Sequence, residues 1–169
     1  MTDRGVYLAP YDSMWPVMFE AEAARIEQVC VGLPLRLEHI GSTSVPGMSA
    51  KPVIDILAGR PPKSQPGPYI AAIRQLGYEH LGANGVPGRE FFRRGSPRSH
   101  HIHLTSWSSA VWKGHLTFRD VLRTKPAIAR DYEALKRDAA IAFADDRRAY
   151  TDAKGPFIRG VIRAANERV

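Results

Sequence analysis

Apolar and polar positions follow two rhythms along this chain. Between Pro16 and about Val31, apolar side chains recur at intervals of three and four, with Phe19, Ala23, Ile26 and Cys30 on one face. That spacing predicts a helix, capped by Asp12 or Ser13 and tolerant of Pro16 in its first turn. The rhythm shortens to two in "LRLEHI" (Leu35 to Ile40), which reads as a strand, and "PVIDIL" (Pro52 to Leu57) reads as a second. Ile70, Ile73 and Leu76 predict a helix stopped by Gly77. A short strand "YEHL" follows, then "REFFRR" and "HHIHLTS" as a strand pair joined by the turn "GSPRS".

After Ser109 the pattern turns helical. "VWKGHLTFRDVLR" predicts one helix, and "AIARDYEALKRDAAIAFA" a second with Ile128, Tyr132, Leu135, Ala139 and Ala142 on one face. A last helix is expected from about Pro156 to Asn166, with Phe157, Val161 and Ala164 or Ala165 inward. "AGRPPKSQPGPY" is a loop, and no segment repeats. This order predicts an α+β fold in one domain of 169 residues: a mixed β-sheet with packed helices over about residues 1–108, then a helical C-terminal part over about 109–169.

Composition narrows the partners. Apolar residues make up 44%, which fits a globular protein, and no apolar run approaches a membrane span. The start "MTDRGVYLAPYD" lacks the apolar stretch of a signal peptide, and the single Cys30 rules out an internal disulfide, so a cytoplasmic protein is expected. The net charge of +7 favours anionic partners such as nucleotides and phosphorylated metabolites. Basic residues form no dense block; Arg89, Arg93, Arg94 and Arg98 come nearest, so long nucleic acid is not the expected partner. Trp15 is expected to staple the first helix, and Trp107 and Trp112 to pack in the core or between helices.

The candidate chemistry lies in "HIGSTSVPGMSAKPVIDI", from His39 to Ile56. Gly41 permits a close backbone approach, and Ser42, Thr43 and Ser44 offer hydroxyls and N–H groups that can converge on phosphate oxygens. Asp55 follows on the next strand, with twelve residues between it and Ser42. A carboxylate beside phosphates suits Mg²⁺. Equally, such turns cap helices, and a lone strand Asp can bond a backbone group. Lys51 either reaches a phosphate or rides on a solvated loop.

"SHHIHL" adds imidazoles. In a strand His101 and His103 share one side and His100 takes the other. Beside Asp55, and with His39 before the turn, they could bind Zn²⁺ or Mn²⁺, or a neutral His could serve as general base. The plainer alternative is a set of half-buried imidazoles bonded to backbone or phosphate. Arg93 and Arg94 point oppositely, so only one faces a cleft; a guanidinium fork suits phosphate.

These residues carry a resemblance. "EHIGSTSVPGMSAKPVIDI" resembles the signature of the GrpB family, and the likeness continues in "YLAPYDSMWPVMFEAEAARI", "HHIHL", "LTFRDVLR", "DYEALKRDAA" and the pair Tyr150 and Lys154. The resemblance implies a nucleotidyltransferase-like fold, the minimal core of the DNA polymerase beta superfamily. A similar domain occurs fused to dephospho-CoA kinase in some bacteria. In active members of that superfamily a Gly-Ser turn contacts the triphosphate, and carboxylates on neighbouring strands bind two Mg²⁺ ions. By resemblance Gly41 and Ser42 take the phosphate role and Asp55 the first metal position.

The second carboxylate position is occupied by Leu57, which cannot ligate a metal. The expected function is therefore binding of a nucleotide or phosphorylated metabolite, with a divergent transfer of a nucleoside monophosphate as its catalytic form. Asp55 and His103 would be catalytic. Gly41, Ser42, Thr43, Lys51, Arg93 and Arg94 would hold phosphate, and Asp55, His101 and His103 a divalent metal (Mg²⁺, Mn²⁺ or Zn²⁺). The alternative is a non-catalytic accessory or folding module with a protein partner. The acceptor, the base and the oligomeric state stay open.

Overall fold

In the computed structural model, which describes residues 5–167, five strands form one mixed sheet. The first four residues of the N-terminal segment read above lie outside the described residues. The strands are β1 (Arg36–Ile40), β2 (Ile54–Arg60), β3 (Glu79–His80), β4 (Glu90–Arg94) and β5 (His100–Ser106), in the order β1-β2-β5-β4-β3. β2 and β5 run parallel at the centre, and the other neighbours are antiparallel. The expected α+β mixed sheet with packed helices is the observed architecture.

Register sorts the side chains. Asp55 pairs with His101 and His101 with Arg93; two residues along, Leu57 pairs with His103 and His103 with Phe91. Because the strand period is two, both rows lie on one face, and Ile56, Ile102 and Phe92 lie on the other. That second face is the core, covered by α1 (Met14–Val29) and α2 (Gly67–Arg74) through Phe19, Ala23, Ile26, Tyr69 and Ile73. Buried within it, the Glu22 carboxylate accepts two hydrogen bonds from Arg94, each 2.7 Å, and one from the Tyr78 hydroxyl at 3.0 Å.

The face bearing Asp55 meets the C-terminal helices α3 (Ala110–Thr124), α4 (Pro126–Ala142) and α5 (Arg147–Asn166). Trp112 of α3 lies so close to β2 that a Cβ on Gly59 would fall 2.5 Å from its ring. It buries Leu57 and Ile40 beneath it. α4 and α5 pack on α3 through Leu122, Tyr132, Phe118 and Phe157.

The start of the last helix differs from the sequence expectation. α5 begins at Arg147, nine residues before Pro156, because the Asp146 side chain caps it, accepting from the backbone N–H groups of Arg148 at 3.0 Å and Ala149 at 2.9 Å. Pro156 therefore sits inside the helix, and Tyr150 and Lys154 fall on one helical face at spacing four. The turn expected after Gly41 is a single 3-10 turn over Ser42–Ser44. Among the described residues no helix is long and apolar enough to cross a membrane.

Candidate functional site

Asp55 stands at the start of β2 with its side chain 29% exposed, beside His101 (14%) and His103 (11%). Parallel pairing of β2 with β5 puts both imidazoles on its side of the sheet. One oxygen, Oδ1, faces His101 Nδ1 at 3.1 Å and His103 Nε2 at 3.4 Å. Burial pushes this carboxyl up, but the hydrogen bonds from His101 and His103 outweigh it and hold the group well below the ordinary carboxylate range. An ionised carboxylate only accepts, so both imidazoles donate through the nitrogens named.

The partners of the two histidines then diverge. His103 Nδ1 faces Arg89 Nη1 at 3.4 Å. A guanidinium only donates, so this nitrogen is the acceptor and His103 is neutral, in keeping with the lowering of its pKa by burial. Arg89 is itself fixed by the carbonyls of Ala83 and Asn84. His103, expected as the base, thus has both ring nitrogens engaged. His101 keeps Nε2 as a buried lone pair with no hydrogen-bond partner.

The second oxygen, Oδ2, looks toward Gly41. Gly41 has φ 72° and ψ −176°, and a Cβ there would stand 2.7 Å from Oδ2 and 3.2 Å from Asp55 Cβ. Only glycine combines this backbone conformation with this proximity. In the 3-10 turn that follows, the hydroxyls of Thr43 and Ser44 are both bonded within the protein. Thr43, 2% exposed, bonds His39 Nε2 at 3.0 Å and the Val53 carbonyl at 3.4 Å; Ser44 Oγ donates to the Gly41 carbonyl at 2.7 Å. Thr43 is therefore not free to receive phosphate, because its side chain points into the core behind the turn. Ser42 opens the turn half-buried, near the Tyr132 phenol of α4.

The remaining expected residues separate. His39 does not join the imidazoles: it lies on the core face, stacked on Phe19 at 4.8 Å, and burial lowers its pKa to about 4. Arg94 also belongs to that face, bound to Glu22, so it cannot reach a phosphate beside Asp55. Arg93 shares the face of His101, yet its Nε pairs with Glu79 at 2.5 Å toward the sheet edge. Lys51 does stay with Asp55: burial lowers its pKa, and the Asp55 charge raises it.

Three groups carried no site role in the sequence reading. His115 of α3 approaches His103 at 5.1 Å between ring centroids, and burial lowers its pKa to about 3. Its only signal was a place three residues after Trp112, on the same helical face. Arg89 reads in the sequence as the head of the strand "REFFRR" and as one of four loosely spaced basic residues; it falls just before β4, which starts at Glu90. Tyr150 has both Lys51 and Lys154 against its ring, with the ammonium groups 5.1 and 4.1 Å from the ring centroid. Two adjoining grooves of about 560 and 340 Å³ run along residues 45–49 and α4, away from the Asp55 carboxylate.

The GrpB protein family profile matches residues 5–164. This chain belongs to the GrpB family. It is similar over its length to the conserved protein GrpB of Enterococcus faecalis, whose crystal structure superposes with a TM-score of 0.86 at 35% identity, covering 96% of this chain and 98% of that one. A UPF0157 protein of Pseudomonas aeruginosa is 38% identical over 96% of this chain and 69% of its own length. A dephospho-CoA kinase of Mycolicibacterium paratuberculosis is 28% identical over 95% of this chain, which spans 46% of that protein.

In this GrpB chain the donor set does not assemble the expected metal centre. Among the described residues no three His, Cys, Asp or Glu side chains are placed to hold an ion. Leu57 is fully buried under Trp112 where a second carboxylate would stand, and Oδ1 of Asp55 is taken by two N–H donors. What the arrangement offers is a fixed negative charge, one uncommitted imidazole nitrogen, and two nearby lysines.

Proposed function

We propose that this GrpB protein binds a phosphorylated small molecule, a nucleotide in the first instance, on the sheet face around Asp55. The observation that carries the reading is the meeting of Gly41, Asp55, His101 and His103 at one point of that face, with Lys51 and Lys154 beside it. The Gly41 conformation leaves backbone room that a Cβ would fill, and anions are drawn to such turns and to lysine. The likeness of the Gly-Ser turn and Asp55 to nucleotidyltransferases of the DNA polymerase beta superfamily supports a nucleotide over other phosphates.

Transfer of a nucleoside monophosphate is the catalytic form of this proposal. Asp55 is a poor base, because its pKa is depressed; its part is to fix His101 through Nδ1–H. His101 Nε2, buried and without a partner, is then the atom to take the proton of an acceptor hydroxyl once the His101 ring turns toward the ligand; the acceptor oxygen bonds to the α-phosphorus, the α–β bridging P–O bond breaks, and Lys51 and Lys154 offset charge on the leaving pyrophosphate.

Thermal shift of the full chain against nucleoside triphosphates, with and without Mg²⁺ or Mn²⁺, tests the binding. Stabilisation by at least one nucleotide, lost in His101→Ala, is expected. No stabilisation by any of them, with or without metal, would end the proposal. A second reading, a non-catalytic module serving a partner domain, is favoured by Leu57 and by the chain's likeness to about half of a dephospho-CoA kinase. Full cellular function in Asp55→Asn, with capture of a stable partner, is the result that would select it.

A further inference from the structure

Lys51 and Lys154 reach one place from distant parts of the chain. Lys51 precedes β2, and Lys154 sits in the second turn of α5, four residues after Tyr150. Both ammonium groups lie against the Tyr150 ring, which is 1% exposed. Neither lysine has an ion-pair or hydrogen-bond partner among the described residues. The charged groups that Lys154 faces are Lys51, Asp55 and Lys136. Lys136 is tied to the Ser49 carbonyl. Arg98 and Arg147 add positive charge at Lys51.

Two partly desolvated cations beside each other are unfavourable unless an anion joins them, and a tyrosine ring offsets only part of that cost. The local strain shows in the amine itself: burial and the Lys51 charge bring Lys154 down to about 7. A single carboxylate would not neutralise the pair; a terminal phosphoryl group, with two charges, would. The Asp55 carboxylate on the sheet side keeps such a group on the lysine side.

We propose that Lys51, Tyr150 and Lys154 form a second anion subsite that seats the terminal phosphoryl group of a di- or triphosphate ligand. The inference rests on the Asp55 reading and specifies its ligand as a polyphosphate ester. It makes α5 the element that reads the length of the phosphate chain. Lys154 takes up a proton as the ligand binds.

The probe is inorganic pyrophosphate, titrated calorimetrically into the full chain without added metal. Wild type is expected to bind, Lys154→Met at least tenfold more weakly, and Lys154→Arg close to wild type. Near pH 8, wild-type binding enthalpy should vary with buffer ionisation enthalpy, and this variation should vanish in Lys154→Met. Without ligand, Lys154→Met should melt at or above wild type, since it removes an unpaired cation. Equal affinity in wild type and Lys154→Met, no binding by wild type, or a ligand-free Lys154→Met that melts several degrees lower each overturns the subsite. A nucleoside triphosphate that stabilises wild type and Lys154→Met equally overturns the subsite alone. Lys154-dependent pyrophosphate binding without stabilisation by any nucleotide overturns the nucleotide reading and keeps the subsite.

Discussion

Replacing Gly41 by Ala tests the contact on which the site turns. The backbone there, at φ 72° and ψ −176°, lies in a region that residues with a Cβ occupy at about 1–3 kcal/mol. The added methyl would also stand 2.7 Å from Asp55 Oδ2, 3.3 Å from Cγ and 3.2 Å from Cβ. Relief requires moving a carboxylate that two histidines hold, at a further cost of about 1–2 kcal/mol on the scale of overpacking. The sum is about 2–5 kcal/mol, and for a chain of this size each kcal/mol lowers Tm by roughly 2–4 °C. Urea unfolding and thermal melts of Gly41→Ala measure it. The same substitution in an Asp55→Ala background separates the parts, because the carboxylate contacts vanish and the backbone strain stays. Gly41→Ala should therefore cost about 1–2 kcal/mol less in that background. A loss below about 0.5 kcal/mol, or one identical in both backgrounds, would refute the Gly41–Asp55 contact.

Three further outcomes follow from the packing. His39 and His115 are held neutral by burial, with pKa values of about 4 and about 3 in the folded chain. The unfolded chain binds these protons near pH 6.5, so stability is intact above that pH and falls as pH drops toward 4 and then 3. His39→Phe should flatten that fall in acid melts, and an unchanged profile counts against it. Glu22→Gln should lose about 3 kcal/mol or more in urea unfolding, because Arg94 is left buried without its bidentate partner; adding Arg94→Met should recover part of this, and a loss under 1 kcal/mol would contradict the account. Leu57→Asp should destabilise by about 3 kcal/mol or more and bind no Mg²⁺, since it puts an unpaired acid beneath Trp112; a stable variant with tight Mg²⁺ binding, seen by calorimetry, would show an intact two-carboxylate frame.

Much of this arrangement was legible in the chain. The alternation in "LRLEHI" and "HHIHLTS" placed β1 and β5 because a strand with one buried face must alternate. The same period put His101 and His103 together and His100 opposite. Gly41 could be singled out because few other residues permit a tight approach, and Leu57 because the resemblance implied a carboxylate where a leucine, which cannot ligate, stands.

Which residues meet was another matter. Alternation says that Arg93 and Arg94 oppose each other; only α1, bringing Glu22 beneath β4, decides that Arg94 is a core ion pair. Thr43 and His39 read as site residues by sequence nearness to Gly41, yet β1 turns His39 to the core face against Phe19 and the 3-10 turn brings the Thr43 hydroxyl onto His39. Pro156 hid the true start of α5, since a proline signals a first turn unless a cap upstream and packing against α3 and α4 carry the helix through it. Local sequence fixed the face of each strand residue, because pleating is set by the backbone. Its partners came from the packing of helices distant in the chain, and no local pattern encodes those contacts.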